Sequence, residues 1–252
     1  MDHGLLTWVL FIVVGAVAGF LNTVAGGGTL VSLPVLIFMG VPGSVANATM
    51  RVGILAQNIS AVGGFRSKGV KLPWPYVLYL AIVSLIGGWI GARLAIEVPD
   101  HLFNRILAVI MVLVVMSIVF DRKGTLSAAT ENLSGRRQVV GVIGFFLLGI
   151  YGGFIQAGIG LLVIALMTHL HHLPLARTNY IKVFAAVIYT GSAVLTFALA
   201  GKILWAEGLV LAVGHAAGAW YGSRWSVQAG DRWVKRVLVA AVLILTVRLW
   251  FF

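Results

Sequence analysis

Long apolar stretches, separated by short polar or glycine-rich breaks, occupy most of this chain and limit what it can fold into. They cover residues 5–18, 76–90, 102–120, 139–150, 183–200, 209–221 and 237–252. Several approach the ~20 residues that an α-helix needs to cross about 30 Å of hydrocarbon. With 60% hydrophobic and 10% charged residues and a mean hydropathy of +1.03, the composition lies outside the soluble range. The sequence predicts an all-α polytopic protein, integral to the cell membrane.

The net charge of +11 would suggest a nucleic-acid partner in a soluble protein. Here most of the basic residues lie between apolar stretches, as the flanks of membrane helices do. We therefore expect the lipid bilayer to be the partner of these residues, and we expect no nucleic acid.

Several kinds of chemistry are excluded by residue content. The chain has no cysteine, so it forms no disulfide, thiolate nucleophile or cysteine-ligated metal site. It contains no HExxH, GxSxG or P-loop motif, which argues against an enzyme or an ATP-driven pump. The cluster of His169, His171 and His172 has no acidic or cysteine neighbour, so we interpret it as an interfacial loop and predict no metal site.

The chain is a tandem duplication. An offset of 131 residues aligns identical residues in its two halves, more often than apolar composition would produce by chance. The aligned pairs are Lys71 with Lys202, Trp74 with Trp205, Gly87 with Gly218, Trp89 with Trp220, Gly91 with Gly222, Arg93 with Arg224, Asp100 with Asp231 and Arg105 with Arg236. We predict a first transmembrane repeat at 1–120, a basic linker at 121–137 and a second transmembrane repeat at 138–252.

Each repeat is predicted to contain four long helices and one short apolar segment. The predicted elements are 5–23, 28–39, 44–65, 74–96 and 102–120 in the first repeat, and 138–153, 159–170, 176–199, 205–225 and 232–251 in the second. At ~1.5 Å per residue the short segments, 28–39 and 159–170, cannot cross the hydrocarbon layer. The prediction is thus about eight full spans plus two half-helices or broken spans.

Charge gives the orientation of the repeats. If the short segment completes a crossing, the repeats are inverted; if it re-enters, they are parallel. The inverted arrangement, with the N-terminus outside and the linker cytoplasmic, agrees better with the positive-inside rule. It places on the cytoplasmic side Arg66, Lys68, Lys71, the linker, Arg177, Arg224, Arg232, Lys235 and Arg236, and outside mainly Asp2, Glu97, Asp100, Lys202 and Glu207.

Glycine-rich breaks follow the first helix of each repeat, at 22–29 and 152–160. Non-helical backbone at membrane depth requires protein or a water-filled cavity to satisfy its amides. A half-helix that begins after such a break directs free N–H groups and the positive end of its dipole at that cavity, which suits an anion. Close helix packing is the alternative explanation for the glycines.

One basic residue lies inside a helix of each repeat. Arg51 and Lys182 are each about 10 Å from the predicted helix start at the standard rise, and no acidic residue lies securely within a span. A cation in a membrane span usually faces a cavity or a partner, so we expect the counter-ion to be the substrate. Snorkelling to the lipid headgroups is the alternative. The candidate substrate-binding residues are Asn22, Gly26, Gly27, Gly28, Thr49, Arg51, Asn58, Gln156, Gly158, Gly160, Asn179, Lys182 and Tyr189.

With these residues in view, the chain resembles the sulfite exporter TauE/SafE family over almost its full length. The resemblance rests on the segment 18–28, on Leu33-Pro34, on the segment 46–51, and on Gly-x-Trp-x-Gly-[Ala/Ser]-Arg at 87–93 and 218–224. It implies secondary transport of small anions such as sulfite or organosulfonates, without a tightly bound cofactor. The second repeat departs from the family pattern in its thinner glycine turn, Gly158-Ile159-Gly160.

Our leading hypothesis is a permease that binds an anion between the two breaks and alternates access. The alternatives are an anion channel and a non-transporting scaffold or subunit that binds lipid headgroups or a partner protein. Proton or ion coupling stays open, with His215 as the place to look. The sequence does not distinguish a monomer from a homodimer, nor import from export.

Overall fold

The computed structural model describes residues 4–107, 109–110, 133 and 135–251, with side chains at these positions except 30 and 230–251. Most of the predicted linker 121–137, and the predicted helix 102–120 beyond residue 110, lie outside the described residues. The repeat boundaries at 120 and 138 therefore stay a prediction.

The described chain is helical throughout and contains no strand. Its helices are α1 (Leu5–Ala25), α2 (Thr29–Phe38), α3 (Gly43–Ser67), α4 (Tyr76–Glu97), α5 (residues 100–107), α6 (Arg136–Phe154), α7 (Ile159–His171), α8 (Leu175–Leu199) and α9 (Trp205–Phe251). Seven of these agree with the predicted bounds to within about two residues, the usual uncertainty of helix ends.

Local signals explain several of these boundaries. Proline precedes α3, α4 and α8 as Pro42, Pro75 and Pro174, and it is tolerated there because the first backbone N–H groups of a helix have no intrahelical acceptor. Helix α1 ends at Gly26, whose φ of 81° is left-handed and whose N–H donates to the carbonyls of Leu21 and Asn22. Glycine is the usual residue at such a helix end.

The predicted pair of helices at 205–225 and 232–251 was wrong, because α9 is one helix of 47 residues. The expected break at 226–231 holds a single glycine and no proline. A lone glycine inside a helix costs only about 1 kcal/mol relative to alanine, which does not end a helix by itself.

Four of the described helices, α1, α4, α6 and α8, are long and apolar enough to cross a membrane. Many large apolar side chains on them are exposed, including Leu6, Ile82, Leu147 and Leu195. Apolar exposure on this scale is typical of a surface that faces lipid or another protein.

Helix directions follow from which residues meet. Along α3, the residues Arg51 and Phe65 face Phe197 and Tyr180 of α8, so α3 and α8 are antiparallel. Along α3 and α9, residue numbers instead rise together: Thr49 meets Leu204, Gln57 meets His215, and Ser60 meets Ala216. Helix α1 also runs parallel to α9, and α4 runs parallel to α6.

The short helix α2 leads the chain back toward the end where α1 began. Helices α1 and α3 both run parallel to α9, so the chain between them must reverse direction. Gly28, at the start of α2, packs on Ala18 and Asn22 of α1, and the Ser32 hydroxyl contacts the Met50 sulfur of α3 at 3.1 Å. From the sequence, we expected that a short segment that re-enters would give parallel repeats. Helix α2 does return, yet α3 and α8 are antiparallel, so this expectation does not hold.

Contacts between the two halves of the chain are reciprocal. Helix α1 packs on α9, and its counterpart α6 packs on α4. Glycines make these contacts close: a Cβ at Gly15 would lie 2.7 Å from the Leu211 carbonyl oxygen, and one at Gly149 would lie 2.9 Å from that of Ser84. Small residues allow such approach between membrane helices. Each half therefore buries its first helix mainly against the other half.

Candidate functional site

Arg51 lies in the third turn of α3 and is completely buried. Its Nη1 donates to the Gly152 carbonyl at 2.7 Å and to the Gln156 side-chain oxygen at 3.2 Å, and its Nη2 donates to Asn47 Oδ1 at 3.4 Å. The guanidinium also lies over the Phe197 ring, 5.0 Å from its centroid. The side chain therefore crosses from α3 to the end of α6.

All hydrogen-bond partners of Arg51 are neutral. Within the described residues no carboxylate contacts the guanidinium, and its Nε has no acceptor. The last carbonyls of a helix have no intrahelical donor and carry partial negative charge, so the end of α6 stabilises the cation. This interaction offsets part of the desolvation of Arg51 without cancelling its charge.

A polar network surrounds Arg51. Asn47 Nδ2 donates to the Phe154 carbonyl at 3.0 Å, and Gln156 Nε2 donates to Thr190 Oγ1 at 3.0 Å. Tyr189 lies beside Arg51 and Gln156. A Cβ at Gly152 would lie 2.5 Å from Ile159 Cδ1 and 3.0 Å from the Tyr189 ring. The network joins α3, α8 and the break between α6 and α7.

Lys182 occupies the corresponding place in α8, where it is 6% exposed. Its Nζ donates to the carbonyls of Asn22 at 2.9 Å and Thr23 at 3.1 Å, and to Asn179 Oδ1 at 2.8 Å. Asn179 Nδ2 donates to the Val24 carbonyl at 3.2 Å. Each base thus contacts the end of the other half's first helix, together with an asparagine about one turn before it.

The two glycine-rich breaks touch each other. A Cβ at Gly26 would lie 2.5 Å from the carbonyl carbon of Gly160. The Thr29 hydroxyl accepts from the Gly158 N–H at 3.3 Å and donates to the Gln156 carbonyl at 3.4 Å. Main-chain contacts and one threonine therefore hold the two breaks together, and most residues of both breaks are buried.

The two bases do not meet. The α8 residues around the Arg51 guanidinium, from Tyr189 to Phe197, lie about 10–22 Å from Lys182 along the axis of α8 at ~1.5 Å per residue. The structure therefore forms two basic clusters, one around Arg51 at the break after α6 and one around Lys182 at the break after α1.

The remaining candidate residues fall into three groups. Gln156 and Tyr189 join the Arg51 cluster, and Asn22 and Asn179 join the Lys182 cluster. Thr49 faces away from the bases, since its hydroxyl accepts from the Leu204 N–H at 3.0 Å. Asn58 is buried, and its Nδ2 has no partner among the described residues. The glycines Gly26, Gly27, Gly28, Gly158 and Gly160 are all buried in the breaks.

Sequence reasoning missed Asn47, Gly152 and Thr190. Asn47 carried a usable signal, since it lies one helical turn before Arg51, where side chains of a helix are neighbours. Gly152 and Thr190 carried none, because their roles depend on how α6 and α8 pack.

His171 is paired with a tyrosine: its Nε2 is 2.8 Å from the Tyr76 hydroxyl. In the part of the chain that is described, no three His, Asp or Glu side chains are grouped to bind a metal.

Comparison with known proteins identifies the family of the chain. The family profile described as sulfite exporter TauE/SafE matches residues 11–249. A "Probable membrane transporter protein" of Haemophilus influenzae is 27% identical over 255 residues, which is 99% of this chain and 96% of that protein. "Probable membrane transporter protein YfcA" of Escherichia coli K12 is 28% identical over 250 residues, 99% of this chain and 91% of that protein.

A plant protein is also similar over part of the chain. "Sulfite exporter TauE/SafE family protein 3" of Arabidopsis thaliana is 28% identical over 153 residues, 58% of this chain and 30% of that protein. No solved structure matches the chain. With a family match that covers nearly all residues, the chain belongs to the sulfite exporter TauE/SafE family, whose members are integral membrane transporters and not enzymes.

Proposed function

We propose that the protein is a secondary transporter of a small anion, such as sulfite, an organosulfonate or a related sulfur-containing or organic anion. The observation that carries this proposal is the pair of buried bases, Arg51 and Lys182, whose hydrogen-bond partners are all neutral. A buried cation in a membrane span is expensive and marks an ion pathway more often than a structural contact. A mobile anion would supply the missing counter-charge.

The two basic clusters would bind the anion in succession. Arg51 lies about 12 Å from the start of α3, and Lys182 about 10 Å from the start of α8, at ~1.5 Å per residue. Because α3 and α8 are antiparallel, these starts lie at opposite ends of the molecule. An anion entering from one side would meet one base first and leave past the other.

An inverted-repeat arrangement supports alternating access. Helices α1, α3 and α9 point one way and α4, α6 and α8 the other, so counterparts in the two halves are reversed. Transporters built from inverted repeats rock one unit against the other around a central site. Here each base ties its own helix to the other half, and an anion that competes for the base would weaken that tie.

A carrier is favoured over a channel by the contact between the breaks. Gly26 and Gly160, in the breaks that follow the two helix ends contacted by the bases, touch through their main chains. An open pore would need these segments to separate, whereas a carrier needs one closed barrier at a time.

The proposed orientation places the N-terminus outside and the linker in the cytoplasm. The end of α3 and the start of α8 lie at the same end of the molecule, since Phe65 stacks on Tyr180. That end holds Arg66, Lys68, Lys71 and Arg177, and the opposite end holds Glu97, Asp100 and Glu207. Basic residues concentrate on the cytoplasmic side of membrane proteins.

Transport in proteoliposomes tests the proposal. We expect saturable uptake and counterflow of sulfite or of a small sulfonate by the wild-type protein. Arg51→Gln and Lys182→Gln should each lower uptake by about tenfold or more, since a hydrogen bond to a charged group contributes about 1.5–3 kcal/mol. Arg93→Gln, which changes an arginine stacked on Trp89 away from both clusters, is the control.

Three outcomes would contradict the proposal. If flux were unchanged in both Arg51→Gln and Lys182→Gln, and both variants were correctly folded on size-exclusion chromatography, the two bases would not form the anion-binding site. Flux that does not saturate and lacks counterflow would indicate a channel. Absence of flux with every anion tested would favour a scaffold.

A further inference from the structure

A separate basic site lies outside both clusters, where the end of α3 meets α9. A cleft of about 260 Å³ is lined there by Lys68, Trp220, Tyr221, Arg224, Trp225 and Gln228. Lys68 directly follows the last residue of α3, and the Arg224 guanidinium lies over the Trp220 ring at 5.4 Å from its centroid. Two cations therefore face one small cleft.

The walls of this cleft are aromatic and open to the surroundings. Trp220 is 42% exposed and Tyr221 is 64% exposed. Trp225 packs on Phe20 of α1 at 5.6 Å between ring centroids, which fixes the wall in place. Tryptophan and tyrosine are enriched at the level of the lipid headgroups, where an amphipathic ring has both an apolar and a polar neighbour.

The duplication supplies an internal comparison. In the alignment at an offset of 131 residues, Trp220 and Arg224 correspond to Trp89 and Arg93, and Arg93 also lies over its tryptophan, at 5.1 Å. The other positions differ: Lys68 corresponds to Leu199, and Gln228 corresponds to Glu97. The cleft beside Arg224 therefore contains two basic side chains and an amide, whereas the corresponding positions beside Arg93 contain one basic side chain and an acid. Stacking of arginine on tryptophan is common to both ends, so the extra positive charge needs its own explanation.

We infer that this cleft binds the phosphate of an anionic phospholipid in the cytoplasmic leaflet, between Lys68 and Arg224. The planar guanidinium suits the phosphate oxygens, and the lysine adds a point charge. The exposed aromatic wall and the apolar face of α9 would contact the acyl chains. The choice of leaflet rests on the orientation proposed above, whereas the binding of an anionic headgroup does not.

Lipid binding to the detergent-solubilised full chain tests the inference. The probes are phosphatidylglycerol, phosphatidylcholine and inorganic phosphate, and the readouts are retained lipid in native mass spectrometry and the shift in melting temperature. We expect saturable retention of phosphatidylglycerol over phosphatidylcholine. Lys68→Gln and Arg224→Gln should each weaken retention about fivefold, because one basic residue near an anionic surface contributes about that factor.

Matched variants separate this site from general charge. Arg93→Gln removes the counterpart arginine and should leave phosphatidylglycerol retention unchanged, and Lys68→Arg should restore it. Equal losses in Arg93→Gln and Arg224→Gln would overturn the inference, because they would show non-specific attraction. Equal stabilisation by inorganic phosphate would overturn it too, by making the ligand a soluble anion. Loss of anion transport in Arg51→Gln with normal lipid retention would separate the two proposals.

Discussion

At the scale of single residues, an asparagine accompanies each buried base and performs the same task. Asn47 accepts from Arg51 and donates to the Phe154 carbonyl, while Asn179 accepts from Lys182 and donates to the Val24 carbonyl. An amide can do both because it carries an acceptor oxygen and two N–H donors. It positions the base without neutralising it, which leaves the positive charge available to an anion.

Replacing either asparagine by aspartate tests whether the base needs a neutral hydrogen-bond partner to bind an anion. Asn47→Asp and Asn179→Asp place a negative charge beside Arg51 and Lys182. We expect anion binding, measured by thermal stabilisation with sulfite or a sulfonate, to fall about tenfold or more, because the carboxylate takes the place of the anion in a charge-assisted hydrogen bond.

Asn47→Ala separates charge from packing. It removes the amide without adding charge and should lower the free energy of unfolding by about 1–3 kcal/mol, since it leaves a buried group unpaired. Anion binding should survive in it. If Asn47→Asp bound anions as tightly as the wild-type protein, the base would not be part of the binding site.

At the scale of elements, contacts between the two breaks determine the positions of the short helices α2 and α7. Gly26 ends α1 in a left-handed conformation and lies against the main chain of Gly160. Gly26 must therefore meet two requirements. Its φ is positive, which disfavours a residue with a Cβ, and the Gly160 main chain lies so close that a Cβ would have no room.

Alanine substitution distinguishes these two requirements. Gly40 has a similar φ, 86°, but nothing lies within 4 Å of its Cβ position. Gly40→Ala should therefore lose only the conformational term of about 1–2 kcal/mol. Gly26→Ala should lose a further ~1–3 kcal/mol, because overpacking moves the breaks apart. Melting temperatures of the purified variants measure the difference, and equal values would mean that the contact between the breaks does not contribute to stability.

At the scale of the whole molecule, the two halves depend on each other. Helices α1 and α6 pack on α9 and α4 of the opposite half, and each base contacts the opposite half's first helix. Neither half buries its own first helix well, so we do not expect either half to fold alone.

The absence of cysteine from the chain makes the proposed topology directly testable. Lys71 and Lys202 are aligned residues of the two repeats, each in the loop before a long helix. With an impermeant maleimide, we expect Lys71→Cys to react only in inverted vesicles and Lys202→Cys only in intact cells, because inverted repeats place aligned loops on opposite sides. Reaction of both from the same side would contradict the inverted arrangement.

The sequence by itself determined the helical class, most of the described helix boundaries and the place of the two breaks. These features depend on neighbouring residues: apolar runs long enough for a helix, proline before a helix and glycine after it. Within the described residues, the misplaced boundary in α9 came from counting a lone glycine as a break.

Only the tertiary structure decided what the bases touch, which helices run parallel and that the two basic clusters are separate. Gly152 and Thr190 join the Arg51 cluster through contacts with residues far away in the chain, and no local pattern encodes such contacts. Helix direction likewise depends on whether α2 returns or continues, and both are compatible with a short apolar helix. The close packing of glycine surfaces between the halves selects one of these arrangements, because it requires particular residues of distant helices to be in register.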